Sequence, residues 1–151
     1  MFYINAIPAG IFGTLLMTGA LYLLTAITGK NFKVVGVLAT MVTGHTTASK
    51  GLTKKRSDLF VGIILHYCIG IAFALVYFFL WQHGIGNPDL SSSVLFGLIT
   101  GCVATTFWSL FTYFHPNPPA FPRIAYVLLV GLSHVLFSLG VSMWQQLGAA
   151  L

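Results

Sequence analysis

The stretch LFVGIILHYCIGIAFALVYFFLW, residues 59–81, decides the fold of this chain. Its 23 residues contain no Asp, Glu, Lys or Arg, and a helix of that length is long enough to cross the apolar core of a bilayer. The one ionisable side chain of note is His66. An imidazole placed in hydrocarbon is costly unless it has a hydrogen-bond partner or faces a cavity, so His66 is the first candidate functional residue.

The composition of the whole chain places it in a membrane. Of its 151 residues, 57% are hydrophobic and 6% are charged, whereas soluble domains carry about 25% charged residues. We find no internal repeat and assign residues 1–151 to a single integral membrane domain. The net charge of +5 does not indicate a nucleic-acid partner, because the basic residues form no basic–aromatic patch outside the apolar runs.

Three further apolar runs complete the predicted architecture. The fold class is all-α, a four-transmembrane-helix bundle with a short interfacial or re-entrant helix between the first and second spans. The predicted spans are approximately 7–27, 59–81, 94–114 and 124–144. The proline-rich link HPNPPAFPR, residues 115–123, cannot be helical. It is short, so the third and fourth spans should be antiparallel neighbours.

The connection from residue 28 to residue 58 contains the predicted short helix. Its middle part, NFKVVGVLATMVTG, is apolar but too short to span, and Phe32, Val35, Leu38 and Val42 fall on one helical face. The following segment, GHTTASKGLTKKR, lacks the Walker spacing of a nucleotide-binding loop. Its basic residues are candidates for contact with anionic lipid headgroups on the cytoplasmic side: Lys54, Lys55 and Arg56.

The distribution of basic residues predicts the orientation. The first and third loops hold all seven Lys and Arg residues, and the N-terminal flank, the middle loop and the C-terminal tail hold none. By the positive-inside rule, the first and third loops lie in the cytoplasm and both termini on the non-cytoplasmic side. In a bacterial host the membrane would be the inner membrane.

The two cysteines do not predict chemistry. Cys68 and Cys102 both lie in apolar runs and form no CxxC pair, so neither a redox pair nor a zinc site is indicated. We expect both to be small buried residues in the helix packing.

Two histidines define a candidate site between the second and fourth spans. Counted from the span ends that share one membrane face, His66 and His134 lie roughly 10 and 15 Å deep at 1.5 Å per residue. Ser138 shares a helical face with His134, and His45 lies in the loop below the same end. Two interpretations are open. In the first, the site binds a ligand. In the second, each histidine bonds a Ser, a Thr or a carbonyl on a neighbouring helix and so stabilises the packing.

Three classes of function fit these residues. The leading one is a non-enzymatic membrane protein that binds a ligand or lipid, or an accessory subunit in a homo-oligomer or larger membrane complex. The second is a redox protein in which His66 and His134 hold haem or a transition metal. The third is a small transporter or channel. The four spans contain no Asp or Glu, which weakens a hydrolase, a desaturase and proton-coupled transport.

Several short motifs resemble a known family. They are Gly13–Met17 (GTLLM), Gly44-His45, His66-Tyr67 with Gly70, Pro116-Asn117-Pro118, and His134 with Phe137 and Gly140. Together they resemble a family of small bacterial four-span inner-membrane proteins of unknown function. The resemblance implies a four-helix bundle and no activity. It also implies that Gly44-His45, His66, Asn117 and His134 recur in the family, which adds Asn117 to the candidate ligand-binding residues.

Overall fold

The computed structural model describes residues 2–149, and these residues form helices and connecting loops without a strand. A 3-10 helix, Phe2–Asn5, leads into five α-helices: α1 (Ala6–Thr28), α2 (Val34–Thr43), α3 (Arg56–Gln82), α4 (Leu90–Phe114) and α5 (Arg123–Ala149). The predicted fold class is confirmed. The domain assignment to residues 1–151 includes residues 1, 150 and 151, which lie outside the described residues.

Four of the helices are long and apolar enough to cross a membrane, as in an integral membrane protein. They are α1, α3, α4 and α5, and each contains one predicted span. Large apolar side chains cover their outward faces: Phe60, Ile99 and Leu132 are each more than half exposed. In water such a surface would be unfavourable, whereas lipid tails cover it without cost.

The four long helices pack in the order α3, α1, α5, α4. The close pairs are α4 with α5, α1 with α5, and α1 with α3. Within the described residues, the backbones of α3 and α4 do not run close together, although the helices are consecutive in sequence, and side chains such as Tyr77 and Phe96 join them at one end. This packing order leaves a gap between α3 and α4 along part of their length. Helix α2 lies near one end of the gap.

Glycines allow the close helix pairs to form. A Cβ atom built on Gly101 of α4 would lie 2.4 Å from the carbonyl oxygen of Gly131 on α5. A Cβ on Gly13 of α1 would lie 2.6 Å from the carbonyl oxygen of Phe137 on α5, and one on Gly10 would lie 2.7 Å from the Cα of Ile71 on α3. Small residues at these crossings bring backbones together, which is a main source of helix association in lipid.

The short helix α2 is buried inside the bundle. Its residues 34–41 are all buried, and it packs on α3, where Gly62 makes room for Ala39. Thr40 is fully buried as well, and its hydroxyl accepts the backbone N–H of Thr53 at 2.8 Å. Of the two alternatives for this helix, the structure therefore favours a helix inserted among the others over one lying on the surface.

The helix ends follow local sequence. Gly29 and Gly44 end α1 and α2 in the left-handed conformation, with φ of 67° and 72°, which glycine adopts without strain. Asp89 caps α4 by accepting the Ser92 backbone N–H at 2.7 Å. This bond and the one from the Ser91 hydroxyl hold the pKa of the Asp89 carboxyl below its ordinary value.

The first and third loops dock on each other at one end of the bundle. The Ala120 N–H donates to the Lys50 carbonyl oxygen at 2.7 Å, and the Thr46 hydroxyl donates to the Asn117 carbonyl oxygen at 2.6 Å. His115 Nε2 donates to the Met41 carbonyl oxygen at 2.8 Å. These bonds join the first loop, which carries six of the seven Lys and Arg residues, to the third loop, which ends at Arg123.

The expectation for the cysteines is wrong. Cys68 and Cys102 are both exposed on the outer surface of the bundle rather than buried in the helix packing. The inward faces of α3 and α4 at these levels are formed by glycine and alanine instead: Gly70, Gly101 and Ala104. An apolar run in the sequence indicates a transmembrane helix, but it does not indicate which side of that helix faces lipid.

Candidate functional site

A cavity of about 220 Å³ lies in the middle of the bundle, and all five α-helices contribute to its wall. His66 of α3 and His134 of α5 both line it. They are the eleventh and twelfth residues of helices that begin at the same end of the bundle, so they lie at nearly the same height. The structure therefore brings together the two histidines that the sequence places at similar depth.

His134 has one ring nitrogen bonded and one available. Its side chain is buried, with 6% of its surface exposed. Nδ1 lies 2.7 Å from the carbonyl oxygen of Val130, one turn back on α5. A carbonyl can only accept, so Nδ1 carries the proton, and in the neutral ring Nε2 is an acceptor. No hydrogen bond to Nε2 is formed by the described part of the chain.

In His66 the roles of the two ring nitrogens are exchanged: Nε2 has a partner on the protein and Nδ1 has none in the described chain. It is 8% exposed, and its Nε2 lies 2.9 Å from the hydroxyl oxygen of Thr18 on α1. Its Nδ1 has no hydrogen bond to any residue between 2 and 149. Gly70, one turn further along α3, lets α1 approach closely enough for this contact, since a Cβ there would lie 2.0 Å from the Thr14 hydroxyl oxygen.

Aromatic rings and aliphatic side chains form the rest of the cavity wall. Phe73 meets the His134 ring edge-on, with the ring centroids 6.0 Å apart. Val34 and Leu38 of α2 line the cavity as well, which explains why α2 is apolar on more than one face. The lining residues with polar side-chain atoms are the two histidines, Trp108 and Thr14, whose hydroxyl donates to the Gly10 carbonyl oxygen.

The cavity is bordered by side chains that also reach the outer surface. Ile69 of α3 and Val103 and Phe107 of α4 line it, and each is between 46% and 54% exposed. They lie on either side of the gap between α3 and α4. Further along, the Tyr77 hydroxyl closes the gap through a 2.8 Å hydrogen bond with Thr100. The cavity thus lies beside an opening in the wall that faces lipid.

A second polar cluster lies at the loop end, apart from the cavity. His45 Nδ1 donates to Asp58 Oδ2 at 2.9 Å, and the Thr53 hydroxyl donates to the same oxygen at 2.7 Å. Asp58 is buried, whereas the His45 side chain is about half exposed. The cluster holds the first loop to the start of α3, and His45 does not line the cavity.

The remaining candidate residues also lie outside the cavity wall. Asn117 accepts a hydrogen bond from Lys50 through its side chain, which ties the third loop to the first. Ser138 is fully buried in the helix packing of α5. The candidate headgroup-binding residues are exposed around the start of α3: Lys54, Lys55 and Arg56.

Sequence reasoning found the histidines and missed most of their surroundings. Thr18 stands in a stripe of hydroxylated residues on the first span, which is the signal that could have named it as the His66 partner. In the sequence, Asp58 is recognisable only as the residue at the end of the first loop. Its burial depends on how that loop folds back onto the start of α3. Within residues 2–149, no group of three or more His, Cys, Asp and Glu side chains is arranged to hold a metal ion.

Comparisons with protein-family models, with curated proteins and with solved structures find no match to this chain. The resemblance to small bacterial four-span proteins stays a prediction, and the geometry of the cavity carries the functional argument.

Proposed function

We propose that this chain is an integral protein of a bacterial inner membrane that binds a small lipophilic molecule in the cavity between its helices. The observation that carries the proposal is the pair of buried histidines. His66 and His134 line one apolar cavity at one height, and each keeps one ring nitrogen without a partner in the described chain. Unsatisfied polar groups in an apolar interior are unfavourable, so a ligand that bonds them would gain both affinity and orientation.

The size of the cavity limits the ligand. Apolar cavities of roughly 150 Å³ take up a benzene-sized molecule, whereas pockets for drug-sized ligands measure roughly 300–1,000 Å³. At about 220 Å³, this cavity holds one substituted ring or a short stretch of chain. A longer molecule would extend through the gap between α3 and α4 into the surrounding lipid.

The route of entry follows from the same gap. Ile69, Val103 and Phe107 line the cavity and are half exposed on the lipid-facing surface. A ligand dissolved in the bilayer reaches the cavity past these side chains without crossing water. Binding of this kind requires no catalytic group.

The basic end of the bundle supports the proposed orientation. All Lys and Arg residues lie in the first and third loops, which dock on each other, so this end faces the cytoplasm under the positive-inside rule. Exposed Lys54, Lys55 and Arg56 are then placed at the level of anionic lipid headgroups.

The proposal is tested by filling the cavity. Ala104 lines it and is 8% exposed, so Ala104→Leu would occupy part of its volume. Cys102→Leu on the exposed outer face of the same helix is the matched control. The three proteins are extracted in polymer-bounded lipid discs without detergent, and their bound small molecules are identified by mass spectrometry. We expect a molecule present in near-stoichiometric amount in the wild type and in Cys102→Leu and depleted in Ala104→Leu. The same lipid profile in all three proteins would contradict the proposal.

A further inference from the structure

We infer that the molecule bound in this cavity carries a hydroxyl group on a ring, as in a phenol or a hydroquinone, and that this hydroxyl bridges His134 and His66. The inference rests on the proposed function and names the chemical class of its ligand. It follows from the protonation pattern of the two rings and from the shape of the wall.

His134 offers an acceptor. The 2.7 Å contact between its Nδ1 and the Val130 carbonyl oxygen places the ring proton on Nδ1. Nε2 of the neutral ring can therefore only accept a hydrogen bond. A ligand that satisfies it must bring a donor, and a ketone, an ester or an ether oxygen has none.

His66 offers a donor. Its Nε2 is 2.9 Å from the Thr18 hydroxyl, and this is the one hydrogen bond that Thr18 makes through its side chain in the described structure. Thr14 and Thr25 of the same helix instead donate to the carbonyl one turn back. The Thr18 proton has His66 Nε2 as its available acceptor, so Nδ1 of the neutral His66 ring carries a proton.

The two free nitrogens need a group that both accepts and donates. No direct hydrogen bond joins His66 to His134 within residues 2–149. A hydroxyl oxygen can accept from His66 Nδ1–H while its own proton goes to His134 Nε2. A carbonyl could satisfy His66 alone and would leave His134 without a donor.

The wall favours a flat ring as the carrier of that hydroxyl. Four aromatic side chains line the cavity: Phe73, Phe107, Trp108 and Phe137. Aromatic rings gain favourable edge and face contacts with one another beyond simple area burial. A phenol combines the ring and the hydroxyl at a size that the volume of about 220 Å³ accommodates.

The test compares 4-ethylphenol with its methyl ether, 4-ethylanisole. Both are titrated calorimetrically into the protein in phosphatidylcholine discs, and heats from empty discs are subtracted to remove partitioning into lipid. We expect the wild type to bind the phenol about tenfold more tightly than the ether, since one satisfied hydrogen bond is worth about that ratio.

Variants separate the hydroxyl effect from the shape of the cavity. His134→Phe removes the acceptor and keeps a ring, so it should bind both probes equally. Thr18→Val removes the hydroxyl that fixes the His66 ring and should reduce the preference for the phenol, whereas Thr18→Ser should retain it. His83→Phe, at an exposed position beyond the far end of α3, should leave both affinities unchanged.

The outcomes distinguish the inference from the proposed function. Equal binding of the two probes by the wild type would overturn the hydroxyl inference while the cavity remained a binding site. Preference for the phenol that survives in His134→Phe would overturn it as well. Binding of neither probe to the wild type would likewise overturn the hydroxyl inference. Probe binding that Ala104→Leu leaves unaffected would overturn the proposed function itself.

Discussion

At the scale of single residues, the chain uses histidine in two distinct settings. His66 and His134 lie among helices in the apolar middle of the bundle, and each bonds one partner on the protein. His45 lies at the loop end and bonds the buried carboxylate of Asp58. The first setting leaves ring nitrogens free beside a cavity. The second uses the ring and the carboxylate together to hold a loop in place.

The loop-holding role of Asp58 gives a prediction. In Asp58→Asn the amide oxygen can take the place of Oδ2 and still accept from Thr53 and His45, but the negative charge that strengthens both hydrogen bonds is lost. We expect the first loop to open more often, so that trypsin cleaves after Lys50 and Lys54 severalfold faster than in the wild type. The measurement is limited proteolysis of the protein in lipid discs.

Ser57→Ala is the control for this substitution. The Ser57 hydroxyl lies 3.4 Å from the other Asp58 oxygen and the side chain is exposed, so its loss should leave cleavage unchanged. Equal cleavage of Asp58→Asn and the wild type would show that the cluster does not hold the loop.

At the scale of helices, glycine positions determine which helices meet, and the pair α4–α5 gives the sharpest prediction. In Gly101→Ala the new methyl group meets the backbone carbonyl of Gly131, which has no flexible end to move aside. The two helices must separate, and overpacking of this kind costs about 1–3 kcal/mol of unfolding free energy. Unfolding curves in mixed micelles measure the change.

Gly19→Ala in α1 is the matched control, because a Cβ there meets nothing within 4 Å. It should leave the unfolding free energy unchanged or raise it slightly, since alanine is the better helix former. A similar loss in both variants would show that the α4–α5 contact does not set the cost.

The sequence predicts the elements better than their arrangement. The spans follow from apolar length, and the matched height of His66 and His134 follows from counting residues along helices. The adjacency of the third and fourth spans follows from the short link between them, whereas the rest of the packing order is set by backbone contacts that no local pattern encodes. The sequence does not indicate whether α2 is buried among the other helices or lies at the membrane surface, because a short apolar helix fits both positions. The cavity itself depends on α2 and on the gap between α3 and α4, so it was beyond prediction.

At the scale of the whole molecule, the two loops that carry the basic residues lie against each other and form one basic end of the bundle. The Lys50 carbonyl and Ala120 N–H join the loops, and Asn117 adds side-chain and backbone bonds across the same junction. Because cationic residues are retained on the cytoplasmic side, this arrangement makes the orientation of the whole bundle a testable quantity.

The orientation is measured with single cysteines on a background in which Cys68 and Cys102 are replaced by alanine. Both native cysteines are exposed on the bundle surface, so their replacement should be tolerated. Ser49→Cys places a thiol in the first loop, and Asn87→Cys places one in the loop between α3 and α4, at the opposite end; both positions are exposed. A membrane-impermeant maleimide applied to intact cells should label Cys at position 87 and reach position 49 only after the membrane is permeabilised. The reverse pattern would place the basic end outside the cytoplasm and overturn the proposed orientation, whereas labelling of both positions in intact cells would indicate a mixed population with no fixed orientation.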